Sequence, residues 1–255
     1  MKRFLTMLVL LLSAQSSIAS MDAIKESNPD LYMISSRFIN KDAAENIKLN
    51  DKEKGLIPIV VLTVNQQPDF MEEYIQKALD TGVSPEEILE AIYQTAPYAG
   101  IPKAVISANT ASKIFKKNKI KLPLKSQSTT DASTRYEKGL NTQVEIFGEG
   151  IRNMKANTAD NQKHIPQFLS QYCFGDFYTR GALDLKTREL LTVCMLAALG
   201  DTESQIKAHI QANIKMGNDK EKLISAITQS LPFIGFPRTL NALKYLNEIV
   251  PEQQN

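Results

Sequence analysis

The chain has 255 residues, of which 43% are hydrophobic and 23% charged, with 11 Gly and 11 Pro. The length suits one large or two small domains, and the composition excludes a disordered, collagen-like or disulfide-scaffold protein. A net charge of +2 excludes strongly basic nucleic-acid-binding classes, and two histidines are too few for a histidine-rich metal centre. We therefore expect a small-molecule ligand, with no nucleic-acid partner, no metal and no other cofactor.

Residues 1–20 have the pattern of an export signal. Lys2 and Arg3 precede a short apolar run that cannot span a bilayer, and residues 17–19 supply a small-x-small cleavage pattern. We expect cleavage and a periplasmic or secreted mature chain without a membrane anchor; the alternative is a buried N-terminal helix. Removal of the leader leaves 28 basic and 28 acidic side chains, so the mature chain is expected to be neutral.

The remaining sequence is a tandem repeat with an offset of 135 residues. Residues 82–88 align with 217–223, and 91–103 align with 226–238, so that a Pro-x-x-Gly-x-Pro motif recurs in register. We predict one unit at 21–116 and a second at 135–255. The segment 117–134 is basic, then rich in Ser and Thr, and is predicted to be a linker.

Both units are predicted to be helical, and each contains signals for the start of a helix. Ser84 with Glu87 forms a capping box, and we expect Asn218 with Glu221 to do the same in the second copy. The prolines that close the two repeated motifs, Pro102 and Pro237, are each predicted to open a further helix.

A buried central helix is predicted in each copy. Residues 190–199 are apolar nearly all round, which predicts a helix buried on every side. Its counterpart, 56–64, contains Pro58 and a β-branched run and locally favours a strand, but the duplication predicts a helix. The predicted fold class is all-α, with two tandem units.

The second copy carries a longer pattern of motifs. Residues 174–192 read FGDFYTRGALDLKTRELLT, 197–200 read AALG, His209 follows, and 233–237 read FIGFP. This order and spacing resembles the carboxymuconolactone decarboxylase family; in the first copy the resemblance depends mainly on 98–102, YAGIP. The resemblance implies an all-helical unit that assembles into trimers or hexamers, with sites near subunit contacts. We expect a trimer of tandem units.

Glu189 and His209 are the candidate catalytic residues. If residues 200–202 form the turn of a helical hairpin, Glu189 lies about one turn, roughly 5 Å, beyond the level of His209. An acid and an imidazole at that separation can share a proton directly or through one water. The alternative is a capping or solvated glutamate, and a histidine bonded to a backbone carbonyl.

Arg180 and Tyr178 are the candidate substrate-binding residues. A guanidinium can hold a carboxylate through two hydrogen bonds, and Tyr178 could donate to the same anion. The alternatives are a surface arginine and a packing aromatic. The first copy has Asn46 where Arg180 stands, Gly55 for Glu189 and Tyr74 for His209. We therefore expect the first copy to be a structural partner that completes the assembly interface, with Tyr74 able to reach a shared pocket.

Cys173 and Cys194 are possible redox residues. The related alkylhydroperoxidase-D-like proteins use a Cys-x-x-Cys pair just ahead of the histidine, whereas residues 201–205 here contain no sulfur. Cys194 is expected to be a buried apolar residue. A disulfide between the two is permitted in an exported protein, but the sequence does not give their separation.

The resemblance implies a cofactor-free decarboxylase or lyase acting on a small carboxylated lactone or unsaturated acid. Arg180 would hold a carboxylate, loss of carbon dioxide would leave an extended enolate, and His209 with Glu189 would move the proton. Two alternatives stay open: a thiol-dependent alkylhydroperoxide reductase using one of the cysteines, and a non-catalytic oligomeric binding protein.

Overall fold

The computed structural model describes residues 21–252, so the predicted leader lies outside the described residues. Within this range the chain is helical and contains no strand, which confirms the all-α prediction. None of these helices is long and apolar enough to cross a membrane. The α-helices are α1 (Pro29–Arg37), α2 (Asp51–Val64), α3 (Pro68–Asp80), α4 (Pro85–Gln94), α5 (Ala96–Ala99), α6 (Ile101–Lys117), α7 (Arg135–Phe147), α8 (His164–Phe168), α9 (Leu185–Leu199), α10 (Glu203–Lys215) and α11 (Lys220–Ile249). Two π-helical segments are Phe38–Ala43 and Leu169–Tyr178, and short 3₁₀ turns are Asp22–Ile24, Ala44–Asn46, Glu149–Asn153 and Asp160–Gln162.

The two copies are built from the same series of helices. Helices α9 and α10 repeat α2 and α3, and α11 repeats α4–α6 as one helix broken at Gly235. Gly235 has φ of 75°, and Gly100 has φ of 98° at the equivalent break between α5 and α6. Glycine adopts this left-handed conformation without the steric penalty that a Cβ adds. As predicted, a helical segment begins beside Pro102 and another beside Pro237.

Helices α2 and α9 pack against each other inside one hydrophobic core that both copies share. Residues 190–198 of α9 are all buried, which confirms the prediction of a helix covered on every side. Residues 56–64 of α2 are buried as well. Since burial of apolar surface is the dominant favourable contribution to folding, these two helices hold the copies together.

Helix α2 forms despite its strand-like sequence. Asn50 and Glu53 make a reciprocal capping box at its start, with bonds of 2.9 and 3.1 Å. Pro58 cannot donate to the carbonyl of Lys54, and the side-chain amide of Gln229 from the second copy lies 3.4 Å from that oxygen. Tertiary packing therefore overrides the local β-propensity, and the helix predicted from the duplication is confirmed.

One of the two predicted capping boxes is wrong. The Ser84–Glu87 box forms as expected. In the second copy the cap is Asp219, whose carboxylate accepts the third helical N–H at 2.8 Å. Asn218 instead points inward, is 1% exposed, and donates to Oδ1 of Asn213 at 2.8 Å. A buried amide must find partners, and this requirement takes Asn218 away from the helix start.

The segment 118–134, between α6 and α7, contains no helix. It lies along the second copy, where the hydroxyl of Thr129 donates to the carbonyl of Thr179 at 2.8 Å and that of Thr130 to the carbonyl of Gly175 at 2.9 Å. These bonds attach the segment to the π-helical turn that leads towards α9.

Helix α7 crosses the π-helical segment Leu169–Tyr178 at a pair of glycines. A Cβ on Gly139 would lie 1.9 Å from the carbonyl oxygen of Ser170, and one on Gly175 would lie 2.1 Å from that of Arg135. Only glycine allows backbones to approach so closely. This crossing places α7 against the π-helical segment and so positions the end of α7 beside the site described below.

Gly139→Ala tests this crossing. Alanine has the higher helix propensity, so any loss of stability must come from the backbone contact. We expect the free energy of unfolding to fall by about 3 kcal/mol. The control is Gly150→Ala, where a Cβ meets nothing within 4 Å and the change should stay under about 0.5 kcal/mol. Urea unfolding of both variants measures the difference, and equal effects would contradict a tight crossing.

Candidate active site between the two copies

His209 and Glu189 form a buried hydrogen-bonded pair. Helices α9 and α10 make an antiparallel hairpin around Gly200, and this places His209 Nδ1 2.7 Å from Glu189 Oε2. Glu189 is fully buried and His209 is 8% exposed. The structure thus brings together the two residues predicted as the catalytic pair. Because Nδ1 faces the carboxylate, Nε2 is the nitrogen left to meet a ligand.

The pair is fixed by its surroundings. The amide of Asn213 donates to the carbonyls of Glu189 at 2.9 Å and His209 at 2.8 Å, which ties α9 to α10. The imidazole is held edge-on between two rings, with centroids 5.8 Å away at Tyr98 and 5.2 Å at Phe147. Glu189 Oε1 has no hydrogen-bond partner among the described residues, so the bond to His209 is the main support of this carboxylate.

A cavity of about 640 Å³ opens beside His209. Its volume lies within the usual range for small-molecule sites. Among the described lining residues none is Lys or Arg, and the polar ones are Tyr98, Gln143, Asp201, Thr202, Ser204, Gln205 and His209. The apolar wall comprises Phe147, Ile151, Met154, Leu169, Phe174, Leu196 and Leu199. The cavity therefore suits a mainly apolar ligand with a few polar atoms.

The first copy supplies one wall of this cavity. Tyr98, from α5, lines it, and its hydroxyl lies 2.7 Å from that of Tyr178 in the second copy. The Tyr178 hydroxyl in turn lies 2.7 Å from Thr192 Oγ1 on α9. Sequence reasoning noticed Tyr98 as part of the repeated motif but did not assign it to a site. The motif was the available signal, whereas its position against the other copy follows only from long-range packing.

A buried carboxylate joins the copies next to this wall. Glu90 of α4 is 2% exposed, and the single N–H on Nε of Arg180 is shared between its two carboxylate oxygens, each 2.9 Å away. Glu90 also accepts from Arg188, which is fully buried, at 3.2 Å, and Arg188 donates to Gln94 Oε1 at 3.0 Å. Burial lowers the pKa of Arg188, and the Glu90 carboxylate opposes that change. Sequence reasoning missed Glu90, Gln94 and Arg188.

The guanidinium of Arg180 and the hydroxyl of Tyr178 have different hydrogen-bond partners. The guanidinium of Arg180 lies against Glu90 and over the ring of Tyr93, 5.7 Å from its centroid, and does not line the His209 cavity. Tyr178 is 1% exposed and stands behind Tyr98. The roles of Arg180 and Tyr178 as substrate ligands stay predictions.

Comparison with known proteins agrees with this duplicated architecture. The model of the carboxymuconolactone decarboxylase family matches residues 29–113 and again residues 164–248. The chain belongs to the carboxymuconolactone decarboxylase family. It is 29% identical over 128 residues to 4-carboxymuconolactone decarboxylase of Acinetobacter baylyi, a match that covers 48% of this chain and 95% of the relative. It is also 29% identical over 90 residues to an uncharacterised 15.0 kDa protein of Paracoccus denitrificans, covering 35% of this chain and 67% of that protein.

In this family member the Glu189–His209 pair, called the dyad below, is present in the second copy and not in the first. Gly55 stands where Glu189 does, and a Cβ on it would lie 3.1 Å from that of Ala78. Tyr74 stands where His209 does and packs edge-on to Phe233, with ring centroids 5.1 Å apart. The equivalent hollow of the first copy is therefore filled by packing side chains.

Both cysteines are free thiols, and the permitted disulfide is not formed. Cys173 borders the cavity, whereas Cys194 is fully buried in α9 with Sγ 3.7 Å from the carbonyl of Ala226. Burial raises the pKa of Cys173 to about 12 and that of Cys194 to about 12. A group with so high a pKa is protonated at neutral pH, and the thiol is far less nucleophilic than the thiolate.

Proposed function

We propose that the protein is a cofactor-free carboxy-lyase that acts on a small lactone or unsaturated acid. The observation that carries the proposal is the 2.7 Å bond between His209 Nδ1 and Glu189 Oε2 at the edge of a largely apolar cavity. Such a pair is suited to moving one proton at a time. The name of the Acinetobacter baylyi relative, a decarboxylase, supports the same class of reaction.

In the proposed reaction the carbon–carbon bond to the substrate carboxylate breaks and carbon dioxide leaves. The bonding electrons pass into an extended enolate, and Nε2 of protonated His209 gives its proton to carbon. His209 then recovers a proton from water, so each turnover takes up one proton. Glu189 stays ionised throughout, holds the Nδ1 proton and stabilises the imidazolium, as a carboxylate does for a general-base histidine.

The cavity favours a substrate with one carboxylate on a hydrocarbon frame. Its described lining contains no Lys or Arg and includes Asp201, so a substrate carboxylate would depend on protonated His209 and on neutral polar groups such as those of Gln143 and Gln205. Removal of water from a carboxylate promotes loss of carbon dioxide, because the charge spreads over a larger group as the bond breaks. The guanidinium of Arg180 is already paired with the Glu90 carboxylate, so the proposed mechanism assigns Arg180 no substrate contact.

The two other functions have less support. A thiol-dependent peroxide reductase needs an ionised thiol, whereas burial raises the pKa of both thiols to about 12. A non-catalytic binding protein would use the same cavity without turnover, and it would not require the buried pairing of Glu189 with His209.

Replacing either member of the dyad tests the proposed chemistry. His209→Gln and Glu189→Gln should each lower turnover by roughly 10²–10⁴-fold, the usual contribution of a positioned acid or base. Both substitutions keep shape and hydrogen-bonding capacity, so the variants should fold. Because the two residues act as one unit, the double variant should have a turnover only a little below that of the less active single variant. Release of carbon dioxide from lactones and unsaturated acids provides the assay.

Tyr74→Phe is the matched control, since Tyr74 stands where His209 does but in the first copy. We expect its turnover to stay within a few-fold of wild type. If Tyr74→Phe loses activity while His209→Gln keeps it, the site has been placed in the wrong copy.

We also propose that the chain self-associates as a trimer of tandem units. Equivalent apolar residues are exposed after the glycine break in both copies: Ile101 and Phe236 at 57% and 60%, Val105 and Leu240 at 51% and 59%. Exposed apolar patches mark interaction sites, and two equivalent patches on one chain allow it to contact two neighbours and close a ring.

Light scattering of the mature chain should give the mass of three chains. The double variant Phe236→Glu/Leu240→Glu should lower that mass, because it buries a charge in the proposed contact. Gln211→Glu, which adds the same charge at an exposed polar position of α10, should not. A wild-type protein of single-chain mass at micromolar concentration would contradict the proposal.

A further inference from the structure

We propose that Tyr98 is a catalytic residue of the His209 site, donating a hydrogen bond from its hydroxyl to the oxygen of the enolate formed there. This inference rests on the proposed function and deepens it. It also gives the first copy a chemical role, because Tyr98 belongs to α5 of that copy.

The position of Tyr98 meets the geometric requirement. Tyr98 and His209 both line the cavity, and their rings lie edge to face with centroids 5.8 Å apart. A ligand that contacts His209 in this cavity is therefore also close to Tyr98. In a lyase these two groups have complementary tasks, one at the carbon that gains the proton and one at the oxygen that carries the charge.

A chain of hydroxyls supports Tyr98 from behind. The Tyr98 and Tyr178 hydroxyls are 2.7 Å apart, and Tyr178 is 2.7 Å from Thr192 Oγ1. Each hydroxyl has one proton and accepts on its oxygen, so Thr192 can donate to Tyr178, Tyr178 to Tyr98, and Tyr98 to a ligand oxygen that displaces its contact with the Cys173 thiol at the cavity edge. Hydrogen bonds aligned in this way strengthen one another, and the last donor becomes the strongest.

This direction of donation leaves the buried groups satisfied. Thr192 Oγ1 is also 2.9 Å from the carbonyl of Arg188, to which it can donate instead. When Thr192 turns to Tyr178, the amide of Gln94 still donates to that carbonyl at 3.0 Å and to Thr192 Oγ1 at 2.9 Å. The chain can therefore reverse as charge develops in the cavity, without creating an unpaired buried group.

Both tyrosines remain neutral donors at physiological pH. Burial is the main cause that raises the pKa of Tyr98 and the pKa of Tyr178 well above the ordinary value. A neutral hydroxyl can donate to an enolate, whereas a phenolate would repel it.

The other copy shows that the hydroxyl chain accompanies the dyad. Phe233 stands where Tyr98 does, and Pro58, counted from the start of α2, stands where Thr192 does counted from the start of α9. Ala44 lies as far ahead of α2 as Tyr178 lies ahead of α9. These positions lack hydroxyls in the hollow that lacks the histidine and the glutamate. A chain needed only for packing between the copies would have no reason to follow the dyad.

The test uses the full chain and two small probes that do not depend on turnover. 4-Nitrophenol, at a pH at which it is ionised in solution, carries a conjugated oxyanion like that of an enolate. Nitrobenzene has the same ring and nitro group but lacks the phenolate oxygen. We expect Tyr98→Phe to bind the phenolate about 10- to 100-fold more weakly than wild type, the usual loss of a hydrogen bond to a charged group. Nitrobenzene affinity should change less than about two-fold, which shows that the cavity is intact.

Two further variants complete the design. Tyr178→Phe removes the support for Tyr98, so it should weaken phenolate binding by a smaller factor and lower kcat with little change in KM. Tyr93→Phe is the control, since it removes a tyrosine hydroxyl from the neighbouring helix α4 outside this cavity. It should leave both probe affinities unchanged.

The outcomes separate this inference from the proposed function. Unchanged phenolate affinity in folded Tyr98→Phe overturns the role of Tyr98, even if His209→Gln abolishes carbon dioxide release. Weaker phenolate binding in Tyr98→Phe, with no carbon dioxide release by wild type, supports Tyr98 as an oxyanion donor and overturns the lyase.

Discussion

The site depends on one buried contact, in which α4 of the first copy places Glu90 between Arg180 and Arg188 of the second. Removing these charges from water is costly, and the cost is offset only when each charge is paired. This pairing requires one register between α4 and α9. The same register places Tyr98, one turn beyond Gln94, beside His209. The contact that joins the copies therefore also completes the cavity.

The duplicated fold contains two equivalent hollows that have diverged. In one, Glu189 and His209 form a buried pair next to a cavity of about 640 Å³. In the other, Tyr74 and Phe233 pack edge to face. At the position of the second copy that is equivalent to Glu90 stands Ser225, whose hydroxyl accepts from the Lys48 backbone at 3.1 Å. One hollow has kept groups that can move a proton, and the other adds to the shared core.

The sequence predicts what is local or repeated. The caps, the helix-opening prolines and the apolar run 190–199 indicated the helical class, and the repeat indicated the helix at α2. The length of the α9–α10 hairpin placed Glu189 near His209. The predicted capping role of Asn218 was wrong, because burial of Asn218 leaves Asp219 to cap α11. The partner of Arg180 is Glu90, ninety positions away in the other copy, so no spacing rule could indicate it. Tyr98 was visible in its motif, but which copy it serves is decided by packing.

In the proposed reaction His209 delivers a solvent-derived proton to the carbon that loses carbon dioxide. The most direct measurement is turnover in D₂O, with the product examined by NMR and carbon dioxide measured in parallel. The account predicts one deuterium at the carbon that held the carboxylate for each carbon dioxide released, and loss of both together in His209→Gln. Turnover by wild type without carbon dioxide release, or a product that carries no deuterium from solvent, would contradict it.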